Sequence, residues 1–166
     1  MPNLHHERVD GLHPMLHAPV RELLRLSEVE LHRPLLVVRG WASVAEQLLV
    51  YQQGRTYNPA DGTWEVTDAS KVVSNAKPGS SAHNVISKAG ETASMAVDVI
   101  PVFPDGTPDW NVPQSYWEQL YVFAWKVGLD PLGDAIGAYL KGDRGHFEEL
   151  RWQWKLEGLG CLRPTA

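Results

Sequence analysis

An aspartate stands inside the most strand-like run of this sequence. Met95 to Phe103 is apolar and partly β-branched, and strand alternation puts Ala96, Asp98 and Ile100 on one face and Met95, Val97 and Val99 on the other. A carboxylate in such a strand is costly to bury unless it is paired or coordinates a metal, so any fold of this chain must bring a cation to Asp98. Two solutions are available. One is an ion pair with Arg39 or Arg55. The other joins Asp98 to His83 and His146, because two imidazoles and one carboxylate leave the fourth position of a tetrahedral zinc open for water, as catalytic sites require. With 7 histidines in the chain, triples of this kind are easily drawn, and residue types alone do not choose.

The rest of the chain supplies the frame for that strand. At 166 residues with 43% hydrophobic side chains and 7 tryptophans, a single compact domain spanning 1–166 is expected. Leu16, Val20, Leu23, Leu24 and Leu26 share a helical face that should pack on a sheet, with Pro19 marking a first turn or a kink. Leu35-Leu36-Val37-Val38, bounded by Gly40, has the form of a buried strand. Ser43-Val44-Ala45-Glu46 has the spacing of a capping box and opens a helix running to about Gln53. Residues 54–92 are rich in Gly, Ser, Asn, Pro and Thr and are expected to form an extended loop region. A second capping box, Ser115-Tyr116-Trp117-Glu118, is expected to start an aromatic helix ending at Gly128, and His146-Phe147-Glu148 begins another strand. The expected class is therefore α+β, a small antiparallel sheet with helices packed on it.

Charge and composition exclude several roles. The net charge of −5 and the absence of any Lys/Arg run give no field that would draw in nucleic acid. No stretch approaches the roughly 18 apolar residues of a membrane span, and Met1 to Val9 lacks the apolar centre of a signal peptide. Synthesis in the cytoplasm without an export signal is expected, and action elsewhere would need release by another agent. The 1 cysteine, Cys161, permits no intrachain disulfide, so a metal site must be built from His and carboxylates.

Asp143 precedes His146 by three residues, which on a turn or helical stretch brings its carboxylate within reach of a metal-bound water; otherwise it is a solvated turn residue in Lys141-Gly142-Asp143-Arg144-Gly145. Glu148 and Glu149 are alternative bases, and in an extended strand Glu148 shares a face with His146 while Glu149 does not.

Taken together, these segments resemble the family of zinc L-alanyl-D-glutamate endopeptidases and D-Ala-D-Ala carboxypeptidases that includes many phage endolysins. The family pattern is S-x-H-x-x-G-x-A-x-D, followed far downstream by a carboxylate, two residues and H. Ser81-Ala82-His83-Asn84 matches its first half, Ser94-Met95-Ala96-Val97-Asp98 its second, and Asp143-Arg144-Gly145-His146-Phe147 its last element. Leu12-His13-Pro14, Val38-Arg39-Gly40-Trp41, Glu46-Gln47, Tyr51-Gln52-Gln53-Gly54-Arg55-Thr56 and Ser74-Asn75-Ala76-Lys77-Pro78-Gly79 follow in the order of the endopeptidase branch. Two departures stand out. His83 and Asp98 are separated by fourteen residues instead of six, with Ser94 in place of a Gly, and Ala42 stands where many relatives have an Arg.

The resemblance implies His83, Asp98 and His146 as zinc ligands, Asp143 as general base, and the peptidoglycan stem peptide as substrate, cut between L-Ala and D-Glu. It implies Ser81 as a site residue and Arg39 or Arg55 as the replacement for the missing arginine, since a planar guanidinium suits a scissile carbonyl or a substrate carboxylate. Trp41, Trp152 and Trp154 either line a wall-binding groove or belong to the packing. A monomeric, endolysin-like bacteriolytic enzyme with zinc and no nucleic-acid or membrane partner is the expectation. A D,D-carboxypeptidase or dipeptidase is the rival of the same class, and a non-catalytic wall-binding module the rival of another.

Overall fold

In the computed structural model of the protein, residues 3–131 and 144–164 are described. Helix α1 (Pro14–Glu30) starts with Pro14, whose missing N–H is one the first turn leaves unpaired anyway, and His13 caps it by accepting the Met15 amide at 3.3 Å. Pro19 lies inside this helix without ending it. Strand β1 (Leu35–Arg39) and helix α2 (Val44–Tyr51) follow. The first capping box is formed as expected: Ser43 Oγ accepts from the Glu46 amide at 3.2 Å and the Glu46 carboxylate accepts from the Ser43 amide at 2.8 Å.

The region expected as extended loop is more ordered than its composition suggests. It contains a hairpin of β2 (Arg55–Asn58) and β3 (Thr63–Val66), closed by an Asp61-Gly62 turn in which Gly62 takes φ 72°, then short 3₁₀ turns at Ala69–Lys71 and Ala82–Asn84. Strand β4 (Ile86–Ser87) precedes β5 (Ala96–Pro101). The extra residues between His83 and Asp98 are stitched down rather than hanging free. Ile86 bridges Thr92, Ser87 N donates to Glu91 O at 2.8 Å, and β4 pairs with the C-terminal strand.

Helix α3 (Gln114–Val127) ends at Gly128 with φ 88°, where sequence placed its end, but its start corrects the expected second capping box. Pro113 is the N-cap residue and Ser115 is already inside the helix, with no side-chain capping bond. Strands β6 (Leu129–Pro131) and β7 (His146–Glu149), the short helix α4 (Trp152–Lys155) and β8 (Cys161–Leu162) complete the described chain. No described helix is long and apolar enough to cross a membrane.

The architecture is α+β. The main sheet is antiparallel in the order β1-β5-β7-β6. Its inner face, carrying Leu35, Val37, Val97, Val99 and Phe147, packs against Leu16, Val20 and Leu23 of α1 and Leu120, Tyr121 and Ala124 of α3. Each Val, Leu or Phe among them contributes on the order of 1.5–3 kcal/mol by leaving water. A second apolar cluster, including Val85, Met95, Trp152 and Cys161, lies under the 82–95 segment. The opposite face of the main sheet is thereby left to Asp98 and its neighbours.

Register decides who those neighbours are. Leu35, Leu36 and Val37 pair with Pro101, Ile100 and Val99, and then the register shifts so that Arg39, not Val38, opposes Asp98. This bulge turns Arg39 onto the outer face; in an unbroken ladder it would point into the core with Val97. On the other side Asp98 opposes His146 and Ala96 opposes Glu148. Arg39, Asp98 and His146 thus form one row across three strands.

Candidate metal centre

Strand alternation puts His146 and Glu148 on the face of Asp98, and Phe147 into the core. The approach of β7 to β5 is close just before His146: a Cβ on Gly145 would lie 2.1 Å from Val99 O, so the glycine is required for the strand to enter at this register. His83 comes from the other direction, in the 3₁₀ turn Ala82–Asn84, where Ser81 Oγ accepts from its amide at 3.3 Å. This turn is fixed to the segment after β1. Ala42 N donates to His83 O at 2.9 Å, and the fully buried Asn84 donates from Nδ2 to Ala42 O at 2.8 Å.

The three side chains converge. His83 Nε2 lies 3.2 Å and His146 Nδ1 2.8 Å from Asp98 Oδ1, and one ligand atom from each of the three falls within 4.8 Å of the others. The two imidazoles meet edge to face with ring centroids 5.1 Å apart. The ion pair of Asp98 with Arg39 or Arg55 is not formed; among the described residues its partners are the histidines. Burial raises the Asp98 carboxyl, but when the imidazoles are protonated the charge of His83 and the hydrogen bonds from His146 and His83 outweigh it and hold the group well below the usual carboxylate range.

The outer nitrogens of the two rings test whether this cluster suits a metal. His83 Nδ1 lies 2.7 Å from Gly40 O, and a carbonyl can only accept, so the proton of a neutral His83 sits on Nδ1. Its Nε2 lone pair then faces Asp98. His146 Nε2 lies 3.2 Å from Glu148 Oε2, another acceptor, and a proton there leaves the Nδ1 lone pair facing Asp98 as well. Two lone pairs and a carboxylate oxygen directed at one point repel unless a cation lies between them. The donor set of two imidazoles and one carboxylate fits zinc with a position left open.

Two cavities meet at the cluster. One, of about 550 Å³, is lined by Arg8, Trp41, Ala42, Glu46 and Thr92; the other, of about 700 Å³, by Val73, Asn75, Ser81, His83, His146 and Trp152, with Glu148 in its wall. Arg39, Val50 and Asp98 line both, so Asp98 stands at their junction with His83 and His146 on the side of the second cavity. The Arg39 guanidinium donates to Gln47 Oε1 at 2.8 Å. Gln47 is fully buried, and its Nε2 donates to Ala76 O at 2.8 Å and Ser74 Oγ at 3.3 Å, so one amide fixes both Arg39 and the wall of the second cavity.

Of the residues expected at the site, His83, Asp98, His146, Arg39 and Ser81 are brought together. Arg55 is not among the residues lining these cavities; it is held by Tyr51 O and by Asn75 Oδ1 at 3.0 Å, with its guanidinium 4.2 Å from the Tyr51 ring centroid. Asp143 lies outside the described residues. Trp152 is a core residue, Trp154 is 88% exposed, and Trp41 lines the first cavity. Sequence reasoning missed the Gly40 carbonyl, which is a backbone group without a signature, and Gln47, whose place beside Glu46 in a helix gave no sign of burial.

Neither a protein-family profile nor a curated protein sequence matches the chain. Among solved structures it is similar to an L-Ala D-Glu endopeptidase, ChiX, of Serratia marcescens, with a TM-score of 0.54 and 20% identity over 93% of this chain and 92% of that one. This likeness establishes a shared fold. A second similar structure is a mutant of the vancomycin-resistance D,D-pentapeptidase VanY from a VanB-type cassette, in complex with Zn(II), at a TM-score of 0.49 and 13% identity over 89% of this chain and 78% of that one.

Proposed function

We propose that the protein is a zinc-dependent hydrolase of peptidoglycan stem peptides that cuts between L-Ala and D-Glu. The observation that carries this reading is the His83–Asp98–His146 cluster standing where two cavities meet. A zinc ion held by these three residues supplies a Lewis acid that lowers the pKa of water and polarises a carbonyl. Asp143, three residues before His146 as in the resembled family, takes the proton of the attacking water and passes it to the leaving amine. Arg39, kept in place by Gln47, offers a guanidinium to the scissile carbonyl or to a neighbouring substrate carboxylate. Ser81 holds the His83 turn and borders the groove.

The fold shared with ChiX and the ordered series of motifs between residues 10 and 150 support peptidoglycan as substrate. The two-armed groove supports an internal bond. A chain running across the cluster has room on both sides, whereas an enzyme that trims a terminal D-Ala needs one such arm.

The test is mass spectrometry of purified peptidoglycan fragments incubated with the protein, alone, with chelator, and after zinc is restored. Chelator-sensitive release of a fragment with a new D-Glu amino terminus is expected. Free D-Ala would instead make it a carboxypeptidase, and intact fragments with zinc bound would make it a non-catalytic wall-binding module. Asp143→Ala is expected to lower turnover by about 10²–10⁴-fold with zinc still bound; wild-type turnover in that variant would remove Asp143 from the mechanism.

A further inference from the structure

We propose that the first cavity is a carboxylate subsite, in which Arg8 and Arg39 together select a stem peptide whose D-Glu keeps a free α-carboxylate. The inference rests on the reading of the protein as an L-Ala–D-Glu hydrolase. It adds the direction in which the substrate lies across the groove, with its amine side in the first cavity and its acyl side in the second.

Arg8 owes its place to the segment that covers the free edge of β1. Val37 N donates to Leu4 O at 3.0 Å and His6 Nε2 to Leu35 O at 2.9 Å. The 3₁₀ turn His6–Gly11 then crosses so closely that a Cβ on Gly40 would lie 2.4 Å from Arg8 O. From there one guanidinium nitrogen, Nη1, donates to Val37 O at 3.0 Å and to Val38 O, the two carbonyls at the β1 bulge. Nε and Nη2 of Arg8 make no hydrogen bond among the described residues, so the outer side of the fork is left for a ligand. Arg39, turned onto the ligand face by the same bulge, gives one Nη2 bond to the neutral Gln47 amide. Among the described residues neither guanidinium has a carboxylate partner, whereas Arg21, Arg25 and Arg33 each have one.

The charged groups of the two cavities are distributed unevenly. The first is lined by Arg8, Arg39 and Glu46 and reaches Asp98. Asp98 is engaged by the histidines. Glu46 Oε2 accepts from the Ser43 amide and hydroxyl, both at 2.8 Å, and these bonds, with a smaller part from the charge of Arg39, hold its carboxyl below the usual range. In the second cavity, beyond Arg39 and the metal-ligand cluster, the only charged side chain among the described lining residues is Glu148. An anionic group is thus favoured in the first cavity and opposed in the second. The stem peptide carries such a group where it is needed: D-Glu continues the peptide through its side-chain carboxyl, so its α-carboxylate is free and stands on the carbon that bears the scissile nitrogen. Arg39 opposes Asp98 across the β1–β5 ladder, so a guanidinium enters the cavity beside a candidate metal ligand. A carboxylate accepts from both sides of a guanidinium fork, whereas the α-carboxamide, the neutral form of the same group, sets an NH₂ donor against donors.

The test measures kcat/KM of the zinc-loaded protein on two synthetic peptides, acetyl-L-Ala–γ-D-Glu–L-Lys and its α-carboxamide counterpart, for wild type, Arg8→Met and Arg8→Lys. Wild type is expected to prefer the free carboxylate by about 10–100-fold, the size of a hydrogen bond to a charged group. R8M is expected to shrink that preference about tenfold, and R8K, which keeps a cation but loses the planar fork, to give an intermediate value. The ratio of the two rates reads only folded, active molecules. A purely structural role for Arg8 at the β1 edge therefore lowers both rates by one factor and leaves the preference unchanged. Equal cleavage of the two peptides by wild type, or a preference retained in both variants, overturns the proposal while the L-Ala–D-Glu reading stands. Cleavage of neither peptide by wild type sinks that reading, and the proposal with it.

Discussion

Asp98 shows how far a single residue type can be taken. A carboxylate in an apolar strand demanded a partner, and two histidines meet it, yet nothing local to the strand distinguished an arginine from a pair of histidines. The choice is made by register and by a turn fifteen positions upstream, both of which are tertiary facts. Gln47 is the converse case. Its position in an amphipathic helix gave no hint that its amide is completely buried between Arg39, Ser74 and Ala76. Replacing it by leucine keeps the volume but leaves the Ala76 carbonyl and one guanidinium N–H without their partner. A loss of about 1–3 kcal/mol in urea unfolding is expected, together with a lower affinity for substrate as Arg39 loses its anchor; an unchanged unfolding midpoint and Michaelis constant would mean that water replaces the amide without penalty.

Among elements, those with strong periodicity were legible: α1, β1, α2, β5 and the end of α3 lie where apolar spacing, the first capping box and Gly128 put them. The misses have separate physical causes. The β2–β3 hairpin is short and nearly all exposed, so it lacks the buried face that gives a strand its alternation, although Asp61-Gly62 between two β-prone segments was a usable turn signal. The second capping box fails because Pro113, extended at φ −66° and ψ 157°, already occupies the N-cap position and puts Ser115 two positions into the helix. The bulge at Val38 cannot be read from β1 alone, since parity is a property of a pair of strands. Gly145 gives an element-level test. Gly145→Ala sets a methyl group against Val99 O, and the only relief is to move β7 away from β5. Loss of zinc binding and a large drop in thermal stability are expected from it, whereas Leu120→Ala, a cavity on the far side of the sheet, should cost about 2–5 kcal/mol in denaturant and leave zinc affinity near wild type.

For the molecule as a whole, the division of the sheet into an apolar face and a ligand face separates stability from metal binding. Leu16, Leu23, Val97, Leu120 and Phe147 form the main core, and none of the three candidate ligands belongs to it. The chelated protein is therefore expected to remain folded by circular dichroism, and zinc at 100 times its dissociation constant to add about 2.7 kcal/mol of stability as a rise in Tm; collapse of the fold on chelation would contradict this division. The helix-to-helix seam of the core has its own pH signature. Burial raises the Tyr116 hydroxyl to about 12, offset in part by its 2.9 Å hydrogen bond with Ser27. The folded state then keeps a proton that the unfolded chain gives up near 10, so stability is intact below about pH 10 and falls as pH rises toward 12, by roughly 2–3 kcal/mol in all. Urea unfolding across that range should show this slope in wild type and a flatter one in Tyr116→Phe. The row Arg39–Asp98–His146, completed by His83, also fixes an order of events. Its members come from positions 39, 83, 98 and 146, and they meet only after β1, β5 and β7 are in register and the 82–84 turn has docked on the segment after β1. During synthesis His146 is the last of these four to emerge, so the cluster is incomplete until β7 has been made. A chain that stops short of residue 146 can fold much of its apolar face and still lack one corner of the cluster.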